Sequence, residues 1–288
     1  MSARSELTIV QLTDTHLRPA GELLRGAVDT HANLTRVLTL LREAGRPIDA
    51  LVLSGDLTDD GSPEAYRRLR EAVEPVAAEL DAQIVYAMGN HDERVAFAVE
   101  LLDREPGTVD PDQPHDQHTE IDGLRVITLD STTPHRHDGY LEPEQLVWLA
   151  AQLREPAPRG TLLILHHPPL PSSVPATDLL KLDNADELAA VVAGTDVRMI
   201  LCGHNHLTAA AALAGIPVWI GPALAYRLDP MAPVGRQRGF SGFGYSRVDL
   251  VGETILATAI EATPAEAVYD RAEDEILDQI VAHVAQAR

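Results

Sequence analysis

The chain has 288 residues, and its 44 acidic side chains against 23 basic ones leave a net charge of -21. That balance repels polyanions over most of the surface and speaks against nucleic-acid and anionic-membrane partners, so a phosphate-bearing ligand would need a local source of positive charge. Apolar residues at 45 % exclude an intrinsically disordered chain. The single cysteine, Cys202, excludes a disulfide scaffold and a thiolate zinc module and fits a reducing compartment.

The polar start, Met1 to Glu6, runs into an apolar stretch of only six residues, 7–12, too short for a signal-peptide core or a membrane span. The expectation is a soluble cytoplasmic protein. Further strand-length apolar runs occur at 50–54, 83–88, 124–129, 161–165 and 197–202. Between most of them lie stretches of helical spacing, such as Leu34, Val37, Leu38 and Leu41, or Leu146, Leu149 and Leu153. This alternation predicts an α/β core. Later runs at 208–214, 216–221, 245–251 and 254–260 are separated by turns at Gly215 and Gly252 and predict antiparallel hairpins. Two sheets packed face to face with helices outside would accommodate both patterns.

Segments 105–116, 134–139 and 229–244 have the Pro, Gly and Asp content of loops. No composition break divides 1–262, which is expected to form one catalytic domain. In the last stretch, 263–288, Ile276, Ile280 and Val284 stand at helical spacing beside Leu277 and Val281. That predicts an amphipathic helix packed on the body, with a homodimer contact as the alternative use.

Five apolar runs end in a polar cluster: Asp14-Thr15-His16, Gly55-Asp56, Gly89-Asn90-His91-Asp92, His166-His167-Pro168 and Gly203-His204-Asn205-His206. Strand ends at the carboxyl edge of an α/β sheet converge on one crevice, so separate segments can supply one site. Asp14 and His16, like His204 and His206, are two apart, and extended backbone would aim both members of each pair the same way. Glycine stands before Asp56, Asn90 and His204, where the backbone can approach closely or turn sharply. The donors are two carboxylates, an amide oxygen and four histidines, a set that suits Mn, Fe, Zn or Co and exceeds what one tetrahedral ion takes. It fits two ions sharing a carboxylate.

In this order the motifs resemble the calcineurin-like metallophosphoesterase superfamily, over residues 7 to 206. Within it the chain is most similar to class III cyclic nucleotide phosphodiesterases of actinobacterial type, through Ser54-Gly55-Asp56-Leu57-Thr58-Asp59, Ala65-Tyr66-Arg67, Met88 to Asp92, His166 to Pro171 and Gly194 to Arg198. The resemblance implies a four-layer αββα sandwich of two mixed sheets and a dinuclear centre of divalent or mixed-valence ions. One metal would take Asp14, His16, Asp56 and His206. The other would take Asp56, Asn90, His166 and His204.

The expected activity is hydrolysis of small phosphodiesters such as 3′,5′-cyclic AMP, by hydroxide formed between the ions and attacking phosphorus in line. A glycerophosphodiesterase, a 2′,3′-cyclic nucleotide phosphodiesterase or a phosphomonoesterase is the alternative. His91 is the candidate proton donor to the leaving oxygen, with Asp92 expected to orient its ring. The resemblance adds His137, in the 134–139 loop. His167 is a candidate brace, and Arg18, Arg227, Arg236 and Arg238 are candidate phosphate contacts. Tyr226, Phe240 and Phe243 would flank a base or line a core.

Overall fold

The computed structural model describes residues 6–286. In chain order the elements are β1 (Leu7–Leu12), α1 (Thr30–Ala44), β2 (Ala50–Ser54), α2 (Pro63–Leu80), β3 (Gln83–Ala87), α3 (Arg94–Leu101), β4 (Gln117–Ile121), β5 (Leu124–Leu129) and α4 (Pro143–Gln152). There follow β6 (Thr161–Leu165), α5 (Pro175–Asp178), α6 (Ala185–Val192), β7 (Val197–Cys202), β8 (Ala209–Leu213) and β9 (Ile216–Ile220). The short pair β10 (Arg227–Leu228) and β11 (Gly239–Phe240) precedes β12 (Gly244–Val251), β13 (Thr254–Glu261) and α7 (Glu273–Gln286).

One sheet has the order β13-β12-β1-β2-β3 and the other β4-β5-β6-β7-β9-β8. Both are mixed: β1, β2 and β3 run parallel, as do β5, β6, β7 and β9, while the two predicted hairpins, β12–β13 and β8–β9, are antiparallel. Alternation along the strands divides the core into three layers. Ile9, Val52 and Val85 meet Leu162, Ile164 and Leu201 between the sheets. Val10, Leu12, Leu51 and Leu53 face outward onto Leu34, Leu38, Tyr66 and Leu69 of α1 and α2. Leu163, Leu165, Ile200 and Cys202 face Leu149, Leu188 and Val192 of α4 and α6. The result is an αββα sandwich whose inner strands, buried on both faces, carry nearly unbroken apolar sequence.

Two features differ from the sequence reading. β4 has no counterpart among the apolar runs, because Gln117, His118, Thr119 and Glu120 form an edge strand without an apolar face until Ile121. The 229–244 loop contains β11, which pairs with β10 through Arg227↔Phe240 and Leu228↔Gly239. In α7, Leu277, Ile280, Val281 and Val284 are exposed. No helix among the described residues is long and apolar enough to cross a membrane.

Candidate metal centre

The carboxyl ends of β1, β2, β3, β6 and β7 carry the five polar clusters, and backbone bonds join the loops that hold them. The N–H groups of Asp14 and His16 donate to the carbonyls of Gly55 at 3.0 Å and Asp56 at 2.9 Å, and Gly203 N–H donates to His166 O at 3.1 Å. Asp14, His16, Asp56, His204 and His206 have φ of 53°, 43°, 48°, 70° and 49°. Left-handed backbone costs an L-residue about 1–2 kcal/mol, so strain is concentrated here. This corrects the expectation that extended backbone aims each pair. β1 ends at Leu12 and β7 at Cys202, and left-handed turns fold Asp14/His16 and His204/His206 back into the crevice that straight strands would run past.

Close approach explains two of the glycines. A Cβ on Gly89 would overlap the Asp56 backbone nitrogen and carboxylate, and one on Gly203 would overlap the Thr13 hydroxyl and stand 2.7 Å from Asp14 Oδ2. Both positions therefore keep the loops in contact only without a side chain.

Three imidazoles are anchored through Nδ1 to oxygen: His16 to Asp59 Oδ1 at 3.2 Å, His166 to Ser54 O at 3.0 Å and His206 to Tyr226 O at 2.8 Å. Such outer bonds leave Nε2 as the free donor atom of a neutral ring. Each Nε2 then points at a carboxylate, His206 to Asp14 Oδ1 at 3.5 Å, and His16 and His166 to Asp56 Oδ2 at 3.5 and 3.2 Å. The Nε2 atoms of His16 and His206 also stand 3.1 Å apart, and where the rings are unprotonated these facing lone pairs are relieved by a cation between them, a metal ion or, on His166 in the metal-free protein, a proton. Both ring nitrogens of His204, and Asn90 Oδ1, are buried without a hydrogen-bond partner, an arrangement that is costly unless something else binds them. Ligand atoms of Asp14, His16 and His206 lie within 4.8 Å of one another, as do those of Asp56, His166 and His204 and those of His16, Asp56 and His91. The residues present fit metal ions.

The protein alone compensates its buried carboxylates in part. Burial disfavours the His166 imidazolium, but Asp56 and Asp14 outweigh it and lift the ring to about 9. Burial, reinforced by repulsion from His166, holds His204 down at about 3, and burial, reinforced by His16, holds His206 down at about 4 despite Asp14. Two rings thus stay neutral and available as ligands.

His91 lies beside this cluster, its ring edge-on to His16 at 4.7 Å. Asp92 does not orient it. The Asp92 carboxylate accepts from Gly89 N at 2.9 Å, Leu57 N and Thr58 N at 3.1 Å, Thr58 Oγ1 at 3.3 Å and Tyr66 Oη at 2.9 Å, and so ties the 89–92 turn to the 55–58 turn. It is turned toward five donors, and the His91 ring instead donates from Nδ1 to Asp59 O at 2.9 Å. His137 joins the site through Asn90 Nδ2 at 3.1 Å. Buried His167 meets Ser131 Oγ at 2.8 Å through Nδ1 and the His137 carbonyl at 3.2 Å through Nε2, so it braces the loop that carries His137.

A calcineurin-like phosphoesterase model matches residues 7–207. The chain belongs to the calcineurin-like phosphoesterase family. It is 46 % identical over 253 residues to a probable cyclic nucleotide phosphodiesterase of Rhodococcus erythropolis, covering 88 % of this chain and 82 % of that protein. It is 41 % identical over 266 residues to a cAMP/cGMP dual specificity phosphodiesterase of Mycobacterium tuberculosis, covering 92 % and 82 %. A dimetal phosphatase from Danio rerio shares the fold with a TM-score of 0.64 at 14 % identity, covering 90 % of this chain and 98 % of that one.

In this member of the calcineurin-like phosphoesterase family a cavity of about 440 Å³ opens over the cluster. His16, Asp56, Asn90, His91, His137, His204 and His206 line it, together with Asp59 and with two residues the sequence did not single out, Arg25 and Gln237. Asp59, three positions after Asp56 in an acidic turn, was legible as a motif residue but not as the partner of both His16 and His91. Among the candidate phosphate contacts, Arg18 pairs with Asp59 and Glu22, Arg227 with Glu261 at 3.8 Å and Arg238 with Asp229, while Arg236 is exposed. Tyr226 packs on His206 with ring centroids 4.2 Å apart, whereas Phe243 belongs to the core.

Proposed function

We propose that this chain is a two-metal phosphodiesterase that hydrolyses small phosphodiesters, foremost cyclic nucleotides such as 3′,5′-cyclic AMP. Asp14, His16, Asp56 and His206 would hold one ion, and Asp56, Asn90, His166 and His204 the other, with Asp56 shared. Mn, Fe, Zn and Co suit this set of oxygen and imidazole donors. Such a pair supplies Lewis acidity and neutralises charge that develops on phosphoryl oxygens.

The chain's own residues do the rest. Asp59 O holds the His91 Nδ1 proton, so His91 Nε2 is the atom that can carry a proton to the leaving oxygen, and its half-buried position at the cavity wall gives it access. Asp92 acts as the clamp that keeps Asn90 and His91 against the Asp56 turn. His137, tied to Asn90 and braced by His167, faces the same cavity and would contact substrate there.

The observation that carries the reading is the set of Nε2 atoms of His16, His166 and His206 aimed at the carboxylates of Asp14 and Asp56. The bacterial relatives support the substrate class. The test is a panel of cyclic AMP, cyclic GMP, 2′,3′-cyclic nucleotides, glycerophosphodiesters and monoesters on purified protein of measured metal content. Cyclic 3′,5′-nucleotide turnover should lead the panel, and preference for a glycerophosphodiester or monoester would displace this substrate assignment.

A further inference from the structure

A second cavity, about 450 Å³, continues from the first. The two share Arg25, Tyr226, Leu228 and Gln237, and the outer one extends between the turn at 24–28 and the β10–β11 hairpin, where Arg238, Phe240 and Ser241 line it. The turn is closed by reciprocal backbone bonds between Leu24 and Val28, 2.9 Å and 3.0 Å long, so Arg25 projects from a fixed base.

Arg25, like the exposed Arg236 of the 229–244 loop, differs from the other arginines near the mouth. Arg18, Arg136, Arg227 and Arg238 each hold a carboxylate. Among the described residues Arg25 has no carboxylate within 4.0 Å, in a chain with a surplus of acidic groups. Its guanidinium instead lies 5.4 Å from the Tyr226 ring centroid and donates to Tyr226 Oη at 3.2 Å. That single bond leaves most of its five N–H donors without a protein partner. Tyr226 in turn packs on His206, so the metal cluster, His206, Tyr226 and Arg25 follow one another outward. At the far side Phe240 is 43 % exposed, with the Arg238 and Arg227 guanidiniums 5.2 and 5.9 Å from its ring centroid.

We propose that this outer cavity is a nucleobase subsite and that Arg25 is its specificity-determining residue, donating to the N7 and O6 edge of guanine while Phe240 offers a stacking surface. The proposal rests on the reading of the inner cluster as a cyclic nucleotide phosphodiesterase site. Two cavities adjoin the inner one: that beyond Asn90 and His137 is lined by Asp92, Glu93 and Asp112 and by Arg94 and Arg136, which already hold carboxylates, whereas this one offers a nucleoside held at the cluster a guanidinium without a carboxylate and an aromatic ring. Guanine presents two adjacent acceptors to a planar fork of donors, whereas adenine presents one acceptor beside an amino group that an arginine cannot satisfy. Stacking on an aromatic ring is indifferent to base identity, which divides the labour between the two residues.

The test compares kcat and KM for 3′,5′-cyclic GMP, 3′,5′-cyclic AMP and methyl 4-nitrophenyl phosphate, a diester without a base, in wild type, Arg25→Ala and Phe240→Ala. Arg25→Ala should raise KM for cyclic GMP about tenfold, with a smaller rise for cyclic AMP, and lower the cyclic GMP to methyl nitrophenyl phosphate ratio of kcat/KM by about tenfold. Phe240→Ala, at an exposed hairpin position, should raise KM for both cyclic nucleotides alike, and it keeps the proposal falsifiable if Arg25→Ala does not fold. As a readout independent of turnover, guanosine should give a saturation-transfer NMR signal with metal-free wild type that both variants weaken. Equal losses on all three diesters would assign Arg25 to the phosphoryl group and overturn the subsite, as would unchanged KM values. Wild type that cleaves methyl nitrophenyl phosphate but neither cyclic nucleotide would instead bring down the underlying functional reading.

Discussion

Gly89→Ala isolates the packing that brings two loops to one centre. A Cβ at this position would overlap the Asp56 nitrogen and Oδ1 and stand 2.9 Å from the Gly55 carbonyl carbon. Carbon atoms in ordinary contact lie about 3.5–4.0 Å apart, so the 55–56 and 89–90 turns must separate by roughly 1 Å. Asp56 cannot yield alone, because its Oδ1 accepts from His91 N at 2.9 Å and its carbonyl accepts from His16 N at 2.9 Å. The displacement therefore passes to Asn90, His91 and His16 together. Overpacking of this kind costs about 1–3 kcal/mol of stability, and misplacement by about 1 Å costs about 100-fold in turnover. Urea unfolding, metal content per chain and kcat/KM on bis(4-nitrophenyl) phosphate measure the three consequences. Two metals bound and kcat/KM within about threefold of wild type would refute the claim that these turns must touch.

Other substitutions probe separate parts of the argument. Asn90→Ala and His204→Ala should each lower diester hydrolysis at least about 100-fold, with metal content by elemental analysis falling from about two toward one per chain. Asp92→Asn should cost about 3–5 kcal/mol in urea unfolding of metal-free protein, because an amide nitrogen must face either two or three of the five donors that the carboxylate now satisfies. Burial raises the Asp116 carboxyl to about 6, against the backbone and Gln145 hydrogen bonds that favour its ionised form. The folded state thus binds this proton more tightly than the unfolded chain, and Asp116 contributes stability below about pH 4 that is lost as pH rises through about 6, up to ~3 kcal/mol. Asp116→Asn keeps an oxygen for both bonds now made to Oδ1, from Asp130 N and Gln145 Nε2 at 2.8 Å. Its unfolding free energy should therefore lack that part of the decline between pH 4 and 6, and identical pH profiles for variant and wild type would contradict the assignment.

The fold was largely legible because burial on both faces of the inner strands leaves apolar runs such as 50–54 and 161–165 with nothing else to be. β4 was illegible for the opposite reason: Gln117 to Glu120 owe their strand to pairing with β5 and not to an apolar face of their own. At the centre, residue identity was legible and orientation was not. Asp92 stands next to His91 in sequence, yet one turn of chain aims its carboxylate at the backbone of 57, 58 and 89 and leaves the ring to Asp59. Arg25 carried no signal at all. Its place in the cavity depends on pairing between Leu24 and Val28 and on a tyrosine about 200 positions away, contacts that no local pattern encodes.

The left-handed backbone at Asp14, His16, Asp56, His204 and His206 shows why spacing misled where composition did not. The two-residue period of a strand sets side-chain direction only as far as the strand runs. Beyond Leu12 and Cys202 direction is set by which carbonyls the next N–H groups can reach, here Gly55, Asp56 and the Asp14 carboxylate that accepts from His204 N at 2.9 Å. The first two bonds join loops of one sheet, and the His204–Asp14 bond joins loops of the two sheets, so the sandwich must close before the full ligand set can assemble. The strain at the five positions is then sustained by the three apolar layers beneath them, which makes the site's geometry a property of the whole fold and not of any single motif.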